Sequence, residues 1–408
     1  MLFFVYNDVM KQFILDDNVN YIIDKLHDNG HEAFVVGGCV RDMLMEKTPH
    51  DFDITTDALP QEVKSIFNDD VTIDTGIKHG TVTIVIDNDH YEVTTYRSDY
   101  NYLDHRHPTF VVYSADIEDD LKRRDFTINA MAYNHQKGIV DCFNGQQDLT
   151  DGIIRCVGVA DKRFDEDALR IMRASRFAAR FGFEIEEETA SSIHKNKELL
   201  QCISIERINE EFSKLLLADH CDDILTKYQD VICQFIPEMS DYSTYQYKDA
   251  VSKLPDAAKT LELRLAIYLQ STSNYKEIVN RLRYSNKTIK SVCTLIEKGH
   301  DFIELDKVSI KKYLYNIGEE AFVDLLDYQK YNKVIDETAY EFYHSQLEKI
   351  IVNNECYSLK QLAINGSDLV ELGYRNEEIG KKLTIVLKKV IVEQLPNDKQ
   401  ILIDYLTN

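Results

Sequence analysis

The sequence predicts an α+β protein in which a strand-containing part is followed by a long helical region. The chain has 408 residues, which suits two to four compact units rather than one core. Ten of its 15 glycines lie at or before Gly182, and none occurs between Phe183 and Lys298. Because glycine favours turns and disfavours helix interiors, strands and turns are expected first and helices afterwards.

The composition is that of a globular protein with a strongly acidic balance. It has 70 acidic against 47 basic residues and a formal net charge of −23. This charge argues against coating nucleic acid or an anionic membrane through bulk positive charge, although a local basic groove remains compatible with it. The eight cysteines form no CxxC pair, and no apolar run approaches the ~20 residues of a membrane helix. A cytoplasmic protein with free thiols and no membrane partner is therefore predicted, and its oligomeric state stays open.

Short apolar runs and turn residues predict the elements of the first part. They are a strand over residues 33–36, a helix over 40–45, a strand over 50–54, and two hairpin strands over 81–86 and 91–96. The first strand is an apolar run that ends in two glycines, and the second alternates polar and apolar residues. The hairpin strands flank a polar turn over residues 87–89.

Helical spacing of apolar residues begins at Glu166 and continues through the second part. Residues 257–270 contain helix formers and no breaker, which predicts a helix there. Near the end of the chain, a helix is predicted over residues 368–372, with Ser367 as its cap.

The segment around Gly37, Gly38 and Arg41 has the pattern of a phosphate-binding turn. A strand that runs through glycines into a helix leaves backbone N–H groups free at the helix N-terminus, where phosphate binds. Arg41 adds a charged donor. A glycine pair after a strand is also common in plain tight turns, so the pattern alone leaves both interpretations open.

Asp51 and Asp53 form a pair of carboxylates about ten residues further on. Residues two apart on a strand point to the same face, and two close like charges call for a cation such as Mg²⁺. Glu92, on the predicted hairpin, is a candidate third carboxylate. Solvated strand residues are the alternative for all three.

Two basic segments complete the candidate site. The first is a run of three basic residues, Lys122, Arg123 and Arg124, directly before residues 125–130. This run either binds the phosphates or ribose of a nucleotide, or it is the solvated start of a helix. Residues 155–183 hold seven basic and four acidic residues, a local charge of +3 in an acidic protein. This inversion favours a functional interpretation of the second segment.

Within that segment, Asp167, Arg170, Arg173 and Arg176 recur every three residues on a predicted helix, so successive members are neighbours. An acid beside an arginine either forms a surface ion-pair ladder or presents a donor and acceptor edge to a nucleobase.

In this order, the segments resemble the class II tRNA nucleotidyltransferases, or CCA-adding enzymes, and the related bacterial poly(A) polymerases. The resemblance covers nearly the whole chain. It is carried by residues 37–42 with 51–53, residues 123–132, the EDxxR pattern at 166–170, residues 204–212 and residues 364–369.

The resemblance implies a polymerase-β-like nucleotidyltransferase head with a small mixed sheet, followed by an all-helical neck, body and tail. The corresponding division is a head over residues 1–150, a neck over 151–217, a body over 218–310 and a tail over 311–408, which would bind tRNA.

It also implies a role for each candidate residue. Asp51 and Asp53 would hold two Mg²⁺ ions, and Gly38 and Arg41 would contact the triphosphate. Arg124 would lie near the sugar or phosphates. Asp167 and Arg170 would read the base of CTP or ATP, and Arg173 and Arg176 would complete the nucleotide site. The polynucleotide partner would be tRNA, bound through its 3′ end and its acceptor and T-arm region.

Four alternatives to complete CCA addition follow. Addition of CC alone or of the terminal A alone is the first, and poly(A) synthesis is the second. Residues 97–117 resemble the flexible loop of complete CCA-adders, and residues 75–81 resemble a tRNA enzyme rather than a poly(A) polymerase. A catalytically silent relative is the third, which intact Asp51 and Asp53 oppose. The fourth, a small-molecule nucleotidyltransferase, has no need of the long helical region.

Overall fold

The computed structural model describes residues 13–74, 76–77, 80–102, 108–241 and 244–407. The described residues form two compact units, which divide after Asp241. Parts of the stretches 75–81 and 97–117 lie outside the described residues. The finer division into head, neck, body and tail stays a prediction.

The first unit contains all the strands found in the described residues. They are β1 (Ala33–Val36), β2 (Asp53–Thr56), β3 (Val71–Ile73), β4 (Thr81–Ile86), β5 (Asp89–Thr95), β6 (Arg97–Tyr102), β7 (Pro108–Tyr113), β8 (Met131–Asn134), β9 (Gly138–Asp141), β10 (Ile153–Ile154) and β11 (Glu184–Ile185). Its helices are α1 (Asp17–Asp28), α2 (Gly38–Leu44), α3 (Pro60–Ile66), α4 (Ile117–Lys122), α5 (Gly145–Asp151), α6 (Ala160–Glu166), α7 (Leu169–Phe181), α8 (Glu187–Asn196), α9 (Ile205–Leu216), α10 (Cys221–Lys227) and α11 (Gln229–Ile232).

Seven strands form one mixed sheet in the order β3-β4-β5-β2-β1-β8-β9. The β2–β5 pair is parallel, and the other neighbours in this sheet are antiparallel. Strands β6 and β7 form a separate hairpin, and β10 pairs with β11 in parallel. The predicted mixed-sheet head is thus confirmed, while the helical part that follows it still contains two short strands.

Both faces of β1 are buried, because the strand alternates its side chains between two cores. Ala33 and Val35 join a cluster with the apolar residues of α1 and α3. Phe34 and Val36 point the other way and pack in a cluster with Leu121 of α4. The sheet therefore fixes the ends of β1 and β2 relative to α4 and the segment that follows it.

The first strand and the hairpin match their predictions closely. Helix α2 begins at Gly38, two residues earlier than predicted, and β5 begins at Asp89 rather than at residue 91. Asp87 and Asn88 both adopt positive φ values, of 53° and 71°. This is the conformation of a two-residue hairpin turn whose twist matches the flanking strands, so β5 starts immediately after it.

The predicted strand over residues 50–54 is wrong at its beginning. Strand β2 starts only at Asp53, and Asp51 lies before it. The register pairs Val35 with Ile54, so Asp51 would face the chain at Gly38, where β1 has already ended and α2 begins. Asp51 therefore has no β1 partner that would hold it in the sheet.

The second unit consists of helices in its described residues. They are α12 (Thr244–Ser252), α13 (Leu261–Leu269), α14 (Tyr275–Arg281), α15 (Asn286–Lys298), α16 (Lys307–Ile317), α17 (Glu319–Tyr331), α18 (Glu337–Val352), α19 (Gly366–Glu371), α20 (Glu377–Ile391) and α21 (Lys399–Thr407). None of the helices in the described ranges combines the length and the apolar character that crossing a membrane requires.

Two predictions in this unit need correction at helix starts. Helix α13 begins at Leu261, after Thr260 in an extended conformation, and not at residue 257. Helix α19 is capped by Asn365 rather than by Ser367. The Asn365 side chain accepts hydrogen bonds from the backbone N–H groups of Ser367 and Asp368, and the Asp368 carboxylate accepts one from Asn365 N–H. This reciprocal pair is a capping box.

Candidate active site

The turn between β1 and α2 is shaped by Gly37. Its φ of +83° is a conformation that L side chains rarely adopt. A Cβ atom at this position would also lie 2.7 Å from Nη1 of Arg124. Glycine therefore permits the chain to reverse while a guanidinium group packs against the turn, beside the first residue of α2, Gly38.

Asp53 and Glu92 stand side by side at one edge of the site. They are direct partners in the parallel β2–β5 register, so their side chains project from the same face of the sheet. Crowding by surrounding protein atoms raises the pKa of the Asp53 carboxyl, Asp51 adds to the shift, and the positive charge of Arg124 opposes it. A bound cation would favour the ionised form of Asp53 in these surroundings.

The chemistry of these oxygens fits a divalent metal ion. Carboxylates are the hard ligands that such ions select, and Mg²⁺ is commonly held by one or two of them together with substrate phosphates. Within the described ranges, no three or more acidic, histidine or cysteine side chains are grouped closely enough to enclose a metal by themselves. Asp51 and Asp53 thus match an open site completed by substrate.

Arg124 connects the glycine turn to the carboxylates. Its Nη2 donates to Oδ2 of the buried Asp120 at 3.2 Å, and Arg123 donates to Oδ1 of the same carboxylate at 2.7 Å. Burial opposes ionisation of Asp120, but the two arginines outweigh it and lower its pKa. The Nε of Arg124 is buried and has no hydrogen-bond partner among the described residues. Only one of the five N–H groups of Arg124 is thus assigned to an acceptor in the described residues, so the guanidinium keeps donor capacity.

Arg41 is buried beneath the turn rather than open to solvent. It donates from Nε and Nη2 to Oδ1 of Asp42, at 2.9 and 2.7 Å, and from Nη1 to Oδ1 of Asn129 at 2.5 Å. Its guanidinium also lies over the rings of Phe177 and Phe181 on α7. Arg41 therefore ties the turn to α7, and a direct contact with phosphate stays a prediction.

Asp125 anchors the other end of the basic segment to α7. Oδ2 of Asp125 accepts from Nε of Arg173 at 2.8 Å, and Oδ1 accepts from the Asn129 amide at 3.1 Å. Burial opposes ionisation of this carboxyl, but Arg173 and Asn129 together hold its pKa at about 2. The Arg173 guanidinium is thereby held beside Asp125, the residue that follows Arg124 in the chain.

Asp167 lies just before α7 rather than on it, which corrects the predicted helical row. Its Oδ1 accepts from the backbone N–H of Leu169, the first residue of the helix, at 3.1 Å. Arg207 of α9 donates two parallel hydrogen bonds to the same carboxylate, from Nη1 to Oδ1 at 3.3 Å and from Nη2 to Oδ2 at 3.0 Å. Such a fork-to-fork pair fixes the plane of the carboxylate.

Arg170 is buried at the start of α7, and three acceptors hold it. Nη1 donates to Oε2 of Glu166 at 2.8 Å and to the Arg163 carbonyl at 3.1 Å, while Nη2 donates to the Arg123 carbonyl at 2.8 Å. A guanidinium has five N–H groups, so two remain: one on Nη2 and the one on Nε.

Arg176 is held by Glu211 of α9. Its Nε donates to Oε2 of Glu211 at 2.5 Å, and the guanidinium lies 4.1 Å from the ring centroid of Phe177. The second oxygen of Glu211 is 3.8 Å from Nη1 of Arg173. The buried Glu211 carboxylate thus contacts two of the predicted site arginines, Arg173 and Arg176.

The basic segment over residues 155–183 is therefore less open than its sequence suggests. Five of the six arginines in residues 155–180 have an acidic partner: Arg155 pairs with Asp148, Arg163 and Arg170 with Glu166, Arg173 with Asp125, and Arg176 with Glu211. Three of these acids lie outside the stretch, so its formal charge of +3 is largely balanced. Arg180 has no acidic partner in the described part of the chain.

Sequence reasoning missed the residues that hold the site together. Asp120, Arg207 and Glu211 each contact a predicted site residue, and none was predicted to belong to the site. Asp120 carries no distinctive sequence signal. Arg207 and Glu211 lie in the stretch 204–212, whose family resemblance was the one available indication.

A glycine turn, two adjacent carboxylates on a mixed sheet and a following arginine-bearing helix define a nucleotidyltransferase with a polymerase-β-like head. Family models agree: the Poly A polymerase head domain matches residues 33–155, an RNA- and SrmB-binding-site model of polymerase A matches 182–240, and tRNA nucleotidyltransferase domain 2 matches 259–406.

Whole-length relatives identify the family. The chain is 35% identical to the CCA-adding enzyme of Lactobacillus helveticus, over 94% of this chain and 95% of the relative. It is 34% identical to that of Staphylococcus epidermidis, over 94% and 96%. The fold matches the Bacillus stearothermophilus CCA-adding enzyme in complex with CTP, with a TM-score of 0.77 and 28% identity, over 96% and 97% of the two chains. The chain belongs to the CCA-adding enzyme family.

Proposed function

We propose that the protein adds C, C and A to the 3′ end of tRNA, with CTP and ATP as substrates and without a nucleic-acid template. The observation that carries this proposal is the fixed pair Asp167 and Arg170 at the start of α7. The names of the relatives support the reaction, and the complex of the Bacillus stearothermophilus enzyme supports CTP as a substrate.

The remaining hydrogen-bonding capacity of Asp167 and Arg170 suits cytosine and adenine. The Asp167 carboxylate has about four acceptor positions and uses three, two for Arg207 and one for Leu169. One acceptor is left for an exocyclic amino group, which cytosine and adenine both carry. The two spare donors of Arg170 suit the ring nitrogen beside that amino group. Uracil and guanine present a carbonyl oxygen to the carboxylate instead and are rejected.

The triphosphate is proposed to lie along the turn at Gly38, beside the Arg124 guanidinium that packs against Gly37. Asp51 and Asp53, with Glu92 beside them, are proposed to hold Mg²⁺. When bound, such ions lower the pKa of the attacking 3′-hydroxyl and neutralise the charge that leaves with pyrophosphate. The protein itself supplies positioning and electrostatics, so no nucleophilic side chain is required.

The products formed on tRNA that lacks CCA test this function. Purified protein with Mg²⁺ should add two cytidines with CTP alone and the full CCA with both nucleotides. With ATP alone it should add A only to tRNA that already ends in CC. A product that stops at CC, or adenosine added without prior CC, would reassign the protein to the partial or poly(A) activities. No extension with any mixture would refute nucleotide addition to tRNA.

The location of the reaction is proposed to be the cytoplasm. The eight thiols, all of them free, are compatible with a reducing compartment. The proposed substrates are intracellular nucleotides and tRNA. Fractionation of cells that produce the tagged protein checks this proposal, and recovery in the membrane fraction would contradict it.

A further inference from the structure

A small cluster of cations lies at the C-terminal ends of α2 and α7. The ring of Phe181 has the guanidinium of Arg41 4.9 Å from its centroid, that of Arg180 at 5.2 Å, and the Lys47 ammonium at 5.6 Å. Phe177 stacks on Phe181 with an angle of 4° between the ring planes. One aromatic pair therefore holds three positive charges together.

Only one of these charges is balanced by an acid. Asp42 neutralises Arg41, which is buried. Lys47 and Arg180 are exposed, and neither makes an ion pair in the part of the chain that the structure describes. Burial lowers the pKa of Arg41, and the nearby charge of Arg180 adds to the shift although Asp42 opposes it. No other aromatic ring in the described ranges carries two cations that lack an ion pair.

We infer that Lys47 and Arg180, positioned by Phe181, form a phosphate-binding ledge for the backbone of the tRNA acceptor end. The inference rests on the proposed function, which makes tRNA the polyanion that this protein must bind. Each cation would contact one phosphate, and Phe181 would act as a positioning residue. The faces of its ring are occupied by Phe177 and the cations, so it is not expected to stack on a base.

The position of the ledge separates it from the nucleotide triphosphate. Gly38 opens α2 at the glycine turn, whereas Lys47 lies beyond the other end of the helix. The seven residues of α2 span roughly 10 Å at about 1.5 Å per residue. Arg41 connects the two places, because its guanidinium approaches both Gly38 and Phe181. The ledge is thus close to the site of addition without being part of the turn.

The experiment compares tRNA and nucleotide kinetics in Lys47→Gln, Arg180→Gln and the double variant. The substrate is tRNA that lacks CCA, at varied concentration with saturating CTP, and then CTP at varied concentration with saturating tRNA. We expect the KM for tRNA to rise about fivefold in each single variant and more in the double variant, with the KM for CTP unchanged. Lys214→Gln, on α9 with its charge already paired to Glu210, serves as the matched control.

Salt dependence and conservative variants supply independent readouts. Each lost phosphate contact should reduce the slope of log affinity against log salt by about 0.7 to 0.9, measured by fluorescence anisotropy of labelled tRNA. Lys47→Arg and Arg180→Lys keep the charge and should retain most of the slope. Phe181→Leu should weaken tRNA binding because the cations lose their common support.

Three results would overturn the ledge. One is a double variant with an unchanged tRNA KM and salt slope. Another is a rise in the KM for CTP alone, which assigns the cations to the triphosphate. The third is a lower Tm of the variants without a change in tRNA binding. This result would mean that Lys47 and Arg180 only stabilise the negative C-terminal ends of helices α2 and α7. If the wild-type protein extends tRNA in these tests, only the ledge fails. If the wild type extends no tRNA, the proposed function fails.

Discussion

Arg207 offers a sharp test of how the protein selects CTP and ATP. Its two hydrogen bonds fix the plane of the Asp167 carboxylate, which is proposed to accept the amino group of the base. Arg207→Ala removes this clamp without touching the groups proposed to contact substrate. Asp167 keeps its bond to Leu169 N–H but gains freedom to rotate. Its remaining acceptor position is then no longer aimed at one place.

The magnitude follows from the type of contact and its exposure. Hydrogen bonds between charged groups contribute about 1.5 to 3 kcal/mol, and partial solvent screening reduces this to about 1 to 2 kcal/mol here. The two side chains are 25% and 21% exposed, which is why the lower range applies. A loss of that size corresponds to a decrease in kcat/KM of about 5- to 30-fold. Arg207→Lys keeps the charge but loses the fork, so an intermediate effect is expected.

The assay measures kcat/KM for CTP on tRNA that lacks CCA and for ATP on tRNA that ends in CC, with UTP and GTP as competitors. Discrimination against UTP and GTP should fall together with the two correct reactions. The same control, Lys214→Gln on the same helix as Arg207, should leave kcat/KM for CTP and ATP and the discrimination against UTP and GTP unchanged. If Arg207→Ala keeps its preference for CTP over UTP within twofold of wild type, the clamp does not set base selection and the reasoning is refuted.

Three further substitutions test the metal site, the buried acids and the second unit. Asp53→Asn should reduce nucleotide addition at least 100-fold at all Mg²⁺ concentrations, because removing a metal ligand disables metal catalysis. The circular dichroism spectrum should be unchanged, and retained activity would exclude Asp53 as a ligand. Asp120→Asn leaves Arg123 and Arg124 without their buried counter-charge and should lower the free energy of unfolding by about 3 kcal/mol in urea titrations; a change under 1 kcal/mol would contradict this. Burial and neighbouring acids raise the pKa of Asp324 from 3.8 to about 6. The free energy of unfolding of the protein should therefore fall as the pH rises from about 4 to 6, because Asp324 then ionises less readily in the folded than in the unfolded chain. Asp324→Asn should therefore stabilise the protein by up to about 3 kcal/mol at pH 7.5 and much less at pH 4.5, and an equal effect at both pH values would be inconsistent with that pKa.

The residues proposed to contact substrate were predictable because their signals are local. A glycine turn after an apolar run, two acids two residues apart and arginines at helical spacing are visible within ten residues. Their partners were not predictable, since Arg207 lies 40 residues from Asp167 and Asn129 lies 88 from Arg41. The boundary of β2 depended on register in the same way, because β1 ends at Val36 and leaves Asp51 without a strand partner. Local sequence thus carries the chemistry, and tertiary contacts set its geometry.

The pairing of site arginines with buried acids also bears on catalysis. An arginine without a counter-ion would be drawn toward solvent or toward any anion, and it would have to reorganise when substrate arrives. Arg173 and Arg176 are instead fixed by Asp125 and Glu211 before any nucleotide binds. Charge that is already oriented stabilises a transition state without the free energy of reorganisation. Some of the acids that make the protein so negative therefore hold the positive groups of the site in place.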